Sequence, residues 1–497
     1  MAKFPYRGNL AAIRGDLDQF WLRSELRRCC TTHGWEFGHI GPIECGSVTD
    51  AGRRRRAVIL VGNPANPYSR AIRIGRTLAA NGYKVEIAAP IAEGAAELEQ
   101  DGPLTIRRYR PSGPYAALAA TYRAPLPKAN STSAGPRAPL PRRIARRMRA
   151  IPTRVLRTLR NRSITWFLWP HTVRGWWHTL ETELEPADLY HACGVLAIAP
   201  ALAARDRDRR AGRRSQVIHD VIDLQLESNN VLGMPATIRR FLTRRERGWA
   251  RAADAHVSVN EPFASRAAAL WRLPQVPVVV PNYPEPWSPP AGGPPDRIRE
   301  LLGLAPTTRI CLFWGRLGPY VGLDEMADAV LLVPDAVLVV MGFGRGWDAS
   351  VARDADPRYA GRHRTIPAVH PDELVSWVAS ADVAMVTLPP LSYNQRFTTP
   401  NKFLEALAAG TPIVLGPDLP TMAGMLAEEE AGRVVASMAP ADIAAAIGSI
   451  LELSDAERRA WRDRLAAVAR ERYSWPIAAK AYESVLAALD QAAPSRS

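Results

Sequence analysis

Short apolar runs alternate with helical stretches along most of this chain, and this alternation limits its fold more than any other feature. The run at 57–61 is followed by a Gly-Asn-Pro turn, a helical pattern over 70–80 and a second apolar run at 84–88. Strand–helix–strand units of this kind place helices on both faces of a parallel sheet. The chain is therefore predicted to be an α/β protein built from doubly wound sheets.

A proline-rich stretch at 283–290 divides the alternation into two series, and such a stretch is typical of a linker. A chain of 497 residues is too long for one ordinary core, so two or three domains are expected. Two parallel-sheet domains joined by a hinge would leave a cleft at the C-terminal ends of their strands, where such sheets bind ligands. Further strands are predicted before the linker at 188–190, 216–218, 255–259 and 276–280, and after it at 310–313, 337–341, 382–386 and 413–415.

These patterns predict the following organisation along the chain. It consists of an N-terminal extension (1–56), a first Rossmann-like domain (57–284) with an insert (111–180), a linker (285–295), a second Rossmann-like domain (296–470) and a C-terminal helix that returns across both domains (471–497).

The stretch 398–412 predicts a helix with both of its ends marked. Thr399 can cap its N-terminus, and Pro400 suits the first helical position. Gly410 fits a left-handed C-terminal cap, and Pro412 prevents the helix from continuing into the apolar strand that follows.

Lys402 lies in the first turn of this helix, where the helix dipole disfavours a cation. A lysine there is explained if an anion binds beside it, because the free amides at a helix start attract phosphate. Glu405, one turn later on the same face, could then hold the ribose hydroxyls of a nucleotide diphosphate. The alternative is a solvated Lys402–Glu405 ion pair on an ordinary surface helix.

Composition favours the phosphate interpretation. Only five of the 64 basic residues are lysine, and the other 59 are arginine. Where arginine is the default base, a lysine at position 402 suggests a requirement for a compact point charge.

Composition also restricts the class of protein. The five cysteines form no CxxC pair, and the histidines show no ligand spacing. Neither a disulfide framework nor a metal site is therefore expected. A reducing cytoplasm is the location that fits this cysteine content. The first ten residues lack the apolar core of a signal peptide, and no apolar run is long enough to predict a spanning helix. The net charge of +15 suggests an anionic partner, but no nucleic-acid-binding motif is present.

The insert offers one explanation for the positive charge. Residues 124–141 are rich in proline, serine and alanine, and residues 142–162 carry nine arginines beside an apolar stripe at helical spacing. Several tryptophans follow, between 166 and 177. This combination predicts docking on an anionic membrane surface. The alternative is an insert packed on its own domain with a solvated arginine face.

The order of motifs over 57–490 resembles the GT-B-fold glycosyltransferases, most closely the retaining, nucleotide-sugar-dependent members of family 4. The resemblance rests on the helix 400–412 and on a set of shorter motifs: Phe313-Trp314-Gly315-Arg316-Leu317 with Gly322-Leu323-Asp324, Met341-Gly342-Phe343-Gly344, the segment Ala368 to Asp382, Asp188-Leu189-Tyr190-His191-Ala192 and Tyr473-Ser474-Trp475.

The resemblance implies a role for each matching residue. Lys402 and Arg316 would contact the donor diphosphate and stabilise charge on the leaving phosphate, and His191 would lie in a loop that faces the cleft. Glu405 would accept hydrogen bonds from the ribose. The remaining donor-binding positions are the two glycine turns, the backbone amides before the helix, and the helix start: Gly315, Gly342, Phe397, Thr398, Thr399 and Asn401. His219, Asp220 and Asp223 could line the acceptor side or cap the next helix.

Three positions depart from the family pattern. Phe397 stands where many members carry a glutamate, Val321 where a lysine is common, and Cys193 where a second histidine is usual. The implied function is transfer of a sugar from a nucleotide-diphosphate sugar to an acceptor hydroxyl, as a hexosyltransferase of class EC 2.4. No metal or other cofactor is expected, and a lipid-linked or cell-envelope acceptor would suit the insert.

Three other functions stay open from the sequence. A nucleotide-sugar epimerase shares the GT-B fold and needs no acceptor. A non-catalytic relative acting as a binding or scaffold subunit would explain the three departures. A nucleic-acid binder would show steeply salt-dependent binding.

Overall fold

The computed structural model describes residues 54–65, 68–92, 94–110, 112, 177–290, 293–294, 296–318 and 321–492. Their strands are β1 (Arg56–Leu60), β2 (Lys84–Pro90), β3 (Leu98–Asp101), β4 (Leu104–Tyr109), β5 (Leu189–Cys193), β6 (Gln216–Val221), β7 (Ala255–Ser258), β8 (Val278–Val279), β9 (Arg309–Arg316), β10 (Ala336–Phe343), β11 (His363–Pro367), β12 (Val383–Val386), β13 (Ile413–Leu415) and β14 (Gly432–Val434).

The α-helices of the same ranges are α1 (Ser69–Ala80), α2 (Trp177–Glu183), α3 (Val195–Arg210), α4 (Ala236–Ala252), α5 (Glu261–Trp271), α6 (Arg297–Leu302), α7 (Leu323–Leu331), α8 (Trp347–Asp354), α9 (Pro371–Val378), α10 (Tyr393–Phe397), α11 (Asn401–Ala408), α12 (Pro420–Glu428), α13 (Pro440–Leu451), α14 (Asp455–Arg472) and α15 (Trp475–Ala492). Short 3₁₀ helices span Gln225–Glu227, Asn229–Val231 and Pro357–Tyr359.

The first sheet has the strand order β3-β4-β2-β1-β5-β6-β7-β8, and every pair except β3–β4 is parallel. β1 lies near its middle, and residues 57–60 of that strand have no solvent exposure. Helices cover both faces of this sheet, which explains why its strands are apolar on both sides.

The second sheet is entirely parallel, with the order β11-β10-β9-β12-β13-β14. β9 and β10 pair over their full length, from Arg309 beside Ala336 to Arg316 beside Phe343. The C-terminal ends of these two strands therefore finish side by side. Gly315 and Gly342, predicted in turns after the strands, are paired inside them one residue before each strand ends.

The chain returns to the first sheet after the second is complete. α14 contributes Leu465 and Ala469 to the core of the second sheet, whereas α15 contributes Trp475 and Tyr482 to the core of the first. The backbone N–H of Trp475 donates to the carbonyl of Pro284, directly before the linker, at 2.8 Å. The two C-terminal helices thus pack on different sheets.

The structure adds to and shifts the predicted elements. The strand–helix–strand alternation is present, but β3, β4, β11 and β14 were not predicted. β3, β11 and β14 lie at sheet edges, and β4 has Thr105, Arg107 and Arg108 among its apolar residues, so it is not an apolar run. The predicted extension ends inside a strand, since Arg56 begins β1 and its guanidinium donates to Glu86 at 2.8 Å.

Most of the predicted insert lies outside the described residues, as does the N-terminal extension up to residue 53. The predicted membrane contact through the insert's arginines and tryptophans therefore stays a prediction. The described end of the insert packs on the first domain, because the buried Thr179 hydroxyl donates to the carbonyl of Arg110 at 3.0 Å and accepts from the amide of Ser112 at 2.9 Å. No helix in the described ranges is both long and apolar enough to cross a membrane.

Candidate active site

A cavity of about 610 Å³ lies between the two sheets. Its walls come from α1 on the first-domain side, the linker, the end of β9, the start of α9 and the start of α11. Five of the predicted site residues line it: Gly315, Arg316, Asn401, Lys402 and Glu405. Clefts between domains at the ends of parallel strands are where α/β proteins bind ligands.

The helix α11 presents a free N-terminus to this cavity. Pro400 is its N-cap, with extended backbone angles (φ −67°, ψ 152°), and no side chain caps the first amides. The predicted cap at Thr399 is therefore wrong: its hydroxyl accepts a hydrogen bond from Asn260 instead, at 3.3 Å. Uncapped amides at a helix start are suited to an anionic group.

Gly410 adopts the left-handed backbone (φ 65°) that the C-terminal end of this helix requires. A Cβ at this position would lie 2.4 Å from the carbonyl oxygen of Arg462 in α14. The predicted glycine cap is thus present, and α14 makes the position still more restrictive.

Lys402 is partly buried in the first turn of α11, with its Nζ 3.8 Å from the centroid of the Phe313 ring. Burial lowers the pKa of Lys402 to about 7, although the nearby Glu405 carboxylate opposes the shift. The ammonium has no ion-pair partner among the described residues. A positive charge held over an aromatic ring at a helix N-terminus is poised to meet an anion.

Glu405 is 8% exposed and accepts a hydrogen bond from Trp314 Nε1 at 2.7 Å. Burial raises its pKa, while the bond from Trp314 and the charges of Arg73 and Lys402 oppose that shift. The alternative of a solvated Lys402–Glu405 ion pair on a surface helix is wrong, because Glu405 is buried and no such pair forms among the described residues.

Two glycines bring the ends of β9 and β10 into close contact. Gly315 has φ 103°, a backbone conformation that side chains rarely adopt. A Cβ at Gly342 would lie 2.2 Å from the carbonyl oxygen of Gly315. Both glycines are therefore required by the backbone itself, and they leave the exposed Arg316 side chain at the cavity wall.

The segment before α11 bridges the two domains. The side-chain amide of Asn260 donates to the carbonyl of Phe397 at 2.9 Å, and Asn282 donates to Asn401 Oδ1 at 2.6 Å. The Phe397 ring packs on Tyr393, with centroids 4.4 Å apart. Thr398 follows as the extended residue that ends α10. These bonds position the start of α11 against the first domain.

The placement predicted for His191 is wrong. It lies inside β5 rather than in a loop, has no exposure and does not line the cavity. Its Nε2 is 3.1 Å from Asp220 Oδ2, and its Nδ1 is 3.1 Å from the hydroxyl of Tyr482. The parallel register of β1, β5 and β6 buries this histidine beneath α15.

Asp220 neither lines the acceptor side nor caps a helix. It is fully buried and receives two hydrogen bonds from Arg70, at 2.6 and 2.8 Å. Burial alone would raise the pKa of this carboxyl, but the Arg70 charge and the bond with His191 hold it well below its usual range. Asp223, two residues beyond β6, instead accepts from Asn394 Nδ2 at 3.3 Å.

His191, Cys193 and Asp220 form a group whose ligand atoms lie within 4.8 Å of one another. Their chemistry does not fit a metal ion. Arg70 occupies both oxygens of Asp220, His191 is bonded through both nitrogens, and burial raises the pKa of the Cys193 thiol. A cation would have to displace an arginine that is itself buried, so these residues form a structural ion-pair network.

Sequence reasoning missed the first-domain wall of the cavity. Ser69, Arg73 and Arg76 follow helical spacing along α1, which is the signal that could have identified them. Arg73 Nη1 donates to Asn282 Oδ1 at 2.9 Å. Burial lowers the pKa of Arg73, and the carboxylate of Glu405 opposes the shift. Arg73 thus faces α11 from the other domain.

Val321 lines a neighbouring cavity of about 470 Å³. The starts of α7 and α8 also line it, together with Arg345. Arg345 makes no ion pair among the described residues. Val321 stands where a lysine is common in the family that the sequence resembles. Arg345 supplies a positive charge in the same cavity.

Part of the second domain matches a known family model, and the fold matches solved structures. Residues 308–453 match the family model described as glycosyl transferases group 1. Sucrose-phosphate synthase from Thermosynechococcus elongatus is 17% identical, with a TM-score of 0.55 over 88% of this chain and 100% of that one. HepE from Anabaena, solved with UDP-glucose, is 14% identical, with a TM-score of 0.55 over 87% and 99%.

The fold is GT-B. It consists of two Rossmann-like domains that face a cleft, and the predicted fold class is confirmed.

Curated relatives match only part of the chain. The D-inositol 3-phosphate glycosyltransferase of Xylanimonas cellulosilytica is 32% identical over 207 residues, which are 40% of this chain and 47% of that protein. The chain thus spans about half the length of this relative. Helix α11 lies in the second domain, within the residues that match the family model.

Proposed function

We propose that this protein is a retaining glycosyltransferase of family 4 that transfers a sugar from a nucleotide-diphosphate sugar to an acceptor hydroxyl. The observation that carries the proposal is the uncapped start of α11, which presents Lys402 and the buried Glu405 to the same cavity as Arg316. A diphosphate needs cations and free amides, and a ribose needs a hydrogen-bond acceptor. This one surface supplies all three.

Each side chain then has a defined task. The amides of α11 and the Lys402 ammonium bind the diphosphate, Arg316 approaches it from the end of β9, and Glu405 accepts from the ribose hydroxyls. As the bond between the sugar C1 and the leaving oxygen breaks, negative charge grows on the phosphate, where Lys402 and Arg316 stabilise it. The leaving phosphate accepts the proton of the acceptor hydroxyl as that oxygen bonds to C1 on the same face.

No metal ion is part of this proposal. Lys402 and Arg316 provide the positive charge that a divalent cation supplies to phosphates in other sites. The partners are a nucleotide sugar and a hydroxyl acceptor. Support for the donor comes from the structural likeness to HepE solved with UDP-glucose. The relatives that are named inositol-phosphate glycosyltransferases make a phosphorylated polyol one acceptor to test, beside a lipid-linked one.

Calorimetry with UDP, GDP and ADP tests the donor site. One nucleotide should bind most tightly, and Glu405→Ala should weaken that binding by about tenfold, because the ribose hydroxyls lose a charged acceptor. Glu483→Ala is the matched control, since Glu483 lies on α15, outside the cavity. Absence of binding by the unmodified protein would contradict the catalytic proposal and favour a scaffold role. Conversion of a nucleotide sugar without acceptor would favour an epimerase.

Nucleotide binding should depend on pH through Lys402. Its pKa of about 7 in the free protein means that the ammonium is largely neutral at pH 8. The bound diphosphate favours the charged form, so binding at pH 8 should take up a proton, and affinity should fall as pH rises above 7.

Proton uptake is measured by calorimetry at pH 8 in buffers of different ionisation enthalpy. Lys402→Arg is the control, because an arginine stays charged throughout this range and should bind without the Lys402 proton. Equal proton uptake by the two proteins would show that Lys402 does not titrate on binding.

A further inference from the structure

The helix α4 of the first domain buries one face and exposes a basic one. Its buried residues, Leu242, Glu246 and Ala250, recur every four positions. The helix carries six arginines and one acidic residue, and that acid, Glu246, accepts from Trp271 on the buried side at 3.4 Å. The outward face therefore carries no carboxylate of its own.

Three of those arginines form a stripe. Arg240, Arg244 and Arg251 are exposed, and at 100° per residue they lie within about 40° of one another around the helix axis. Arg251 donates to the carbonyl of Arg272 at 3.2 Å. Arg240 and Arg244 make no hydrogen bond or ion pair with any described residue. Within the described part of the chain, no carboxylate pairs with these two exposed charges.

Apolar side chains lie at the N-terminal end of the same helix. The loop before it packs Val231 and Met234 under the helix, against Leu242, and turns Leu232 outward with 51% of its surface exposed. Phe241, beside Arg240, is 43% exposed. A basic stripe with an exposed apolar tip is the pattern of a surface that rests on anionic lipid headgroups and inserts its tip.

The N-terminal end of α4 is connected to a contact between the two domains. The loop that leads to it starts at the C-terminal end of β6, where the amide of Leu224 donates to Asn394 Oδ1 of the second domain at 3.2 Å. The loop that carries Leu232 therefore also takes part in the contact between the domains.

We propose that the outer face of α4, with Leu232, docks this protein on an anionic phospholipid bilayer. Electrostatic attraction of the arginine stripe brings the surface to the headgroups, and Leu232 enters the boundary of the acyl chains. This docking holds the protein at the surface where lipid-linked acceptors lie. It uses none of the residues proposed to bind the nucleotide.

Sedimentation of the full chain with vesicles tests the docking surface. The protein should bind vesicles that contain phosphatidylglycerol and not vesicles of phosphatidylcholine alone. Arg240→Gln/Arg244→Gln should weaken that binding by about 30-fold, because each arginine near an anionic surface contributes about fivefold. Leu232→Ser should weaken it by about tenfold.

The matched control is Arg213→Gln/Arg214→Gln, which removes the same charge from an exposed turn before β6. Equal losses of vesicle binding in the two double variants would overturn the proposal. Tighter binding to duplex DNA than to vesicles, unchanged by Leu232→Ser, would also overturn it. Thermal unfolding followed by circular dichroism checks that each variant is folded. Vesicle binding does not depend on nucleotide binding. The docking proposal and the proposed glycosyltransferase function can therefore fail independently.

Discussion

Replacing Lys402 by alanine should lower kcat/KM for sugar transfer by about 10²- to 10³-fold, which is the effect of removing one preorganised group from a developing negative charge. The reason is positional. Lys402 is held over Phe313 in the first turn of α11, where no other described cation of that helix can replace it. The measurement is steady-state transfer with the nucleotide sugar that calorimetry identifies.

Two further variants serve as comparisons in this experiment. Lys480→Ala removes an exposed lysine from α15 and should leave transfer unchanged. Lys402→Arg keeps the charge but changes its shape, so it should recover part of the loss. Equal rates for Lys402→Ala and the unmodified protein would contradict the role of Lys402 and, with it, the assignment of α11 as the donor helix.

Replacing Asp220 by alanine should lower the free energy of unfolding by about 3–5 kcal/mol, because it leaves the Arg70 guanidinium buried without a counter-charge. Arg70 is 2% exposed, and its remaining bond is to the carbonyl of Val280 at 2.9 Å. His191 also loses the oxygen that it contacts. Urea unfolding at pH 7 measures the change.

The control is an ion pair of the same chemistry at the surface. Arg76 and Asp101 approach to 3.3 Å but remain about one-third exposed, so Asp101→Ala should cost less than about 1 kcal/mol. Similar losses of unfolding free energy in Asp101→Ala and Asp220→Ala would show that the buried network stabilises the fold no more than a surface ion pair does.

The pH dependence of the Asp220 effect has a defined sign. The folded-state pKa of Asp220 is depressed, so its contribution to stability is present above the unfolded-state value of about 4 and is lost as pH falls toward the folded value. The difference in free energy of unfolding between the unmodified protein and Asp220→Ala should therefore be constant near neutral pH. It should become smaller only in strong acid.

Local patterns in the sequence were enough to predict several features. The alternation of apolar runs and helical stretches predicted two parallel sheets, because strands buried on both faces must be apolar throughout. Gly410 marked the end of α11, because only a residue without a side chain fits its left-handed backbone beside Arg462. Lys402 and Glu405 were predicted to share a face, and both line the cavity.

Predictions failed where burial depends on a distant part of the chain. His191 resembled a loop residue, but the register of β5 between β1 and β6 places it in the core, and α15 covers it with Tyr482. No local pattern marks a histidine whose partner lies 291 positions away. Thr399 was predicted as a cap, but Asn260 of the first domain occupies its hydroxyl.

The sequence by itself determined the α/β class, the division into two series and the helix that carries Lys402, because each depends on neighbours within a few turns of chain. Tertiary structure alone decided which charges are buried and which face the cleft. Arg70 and Arg73 lie on one helix, three positions apart, yet Arg70 is fixed in the core by Asp220 while Arg73 faces Glu405 across the domains. That difference arises from the packing of two domains, which brings together residues that local patterns cannot pair.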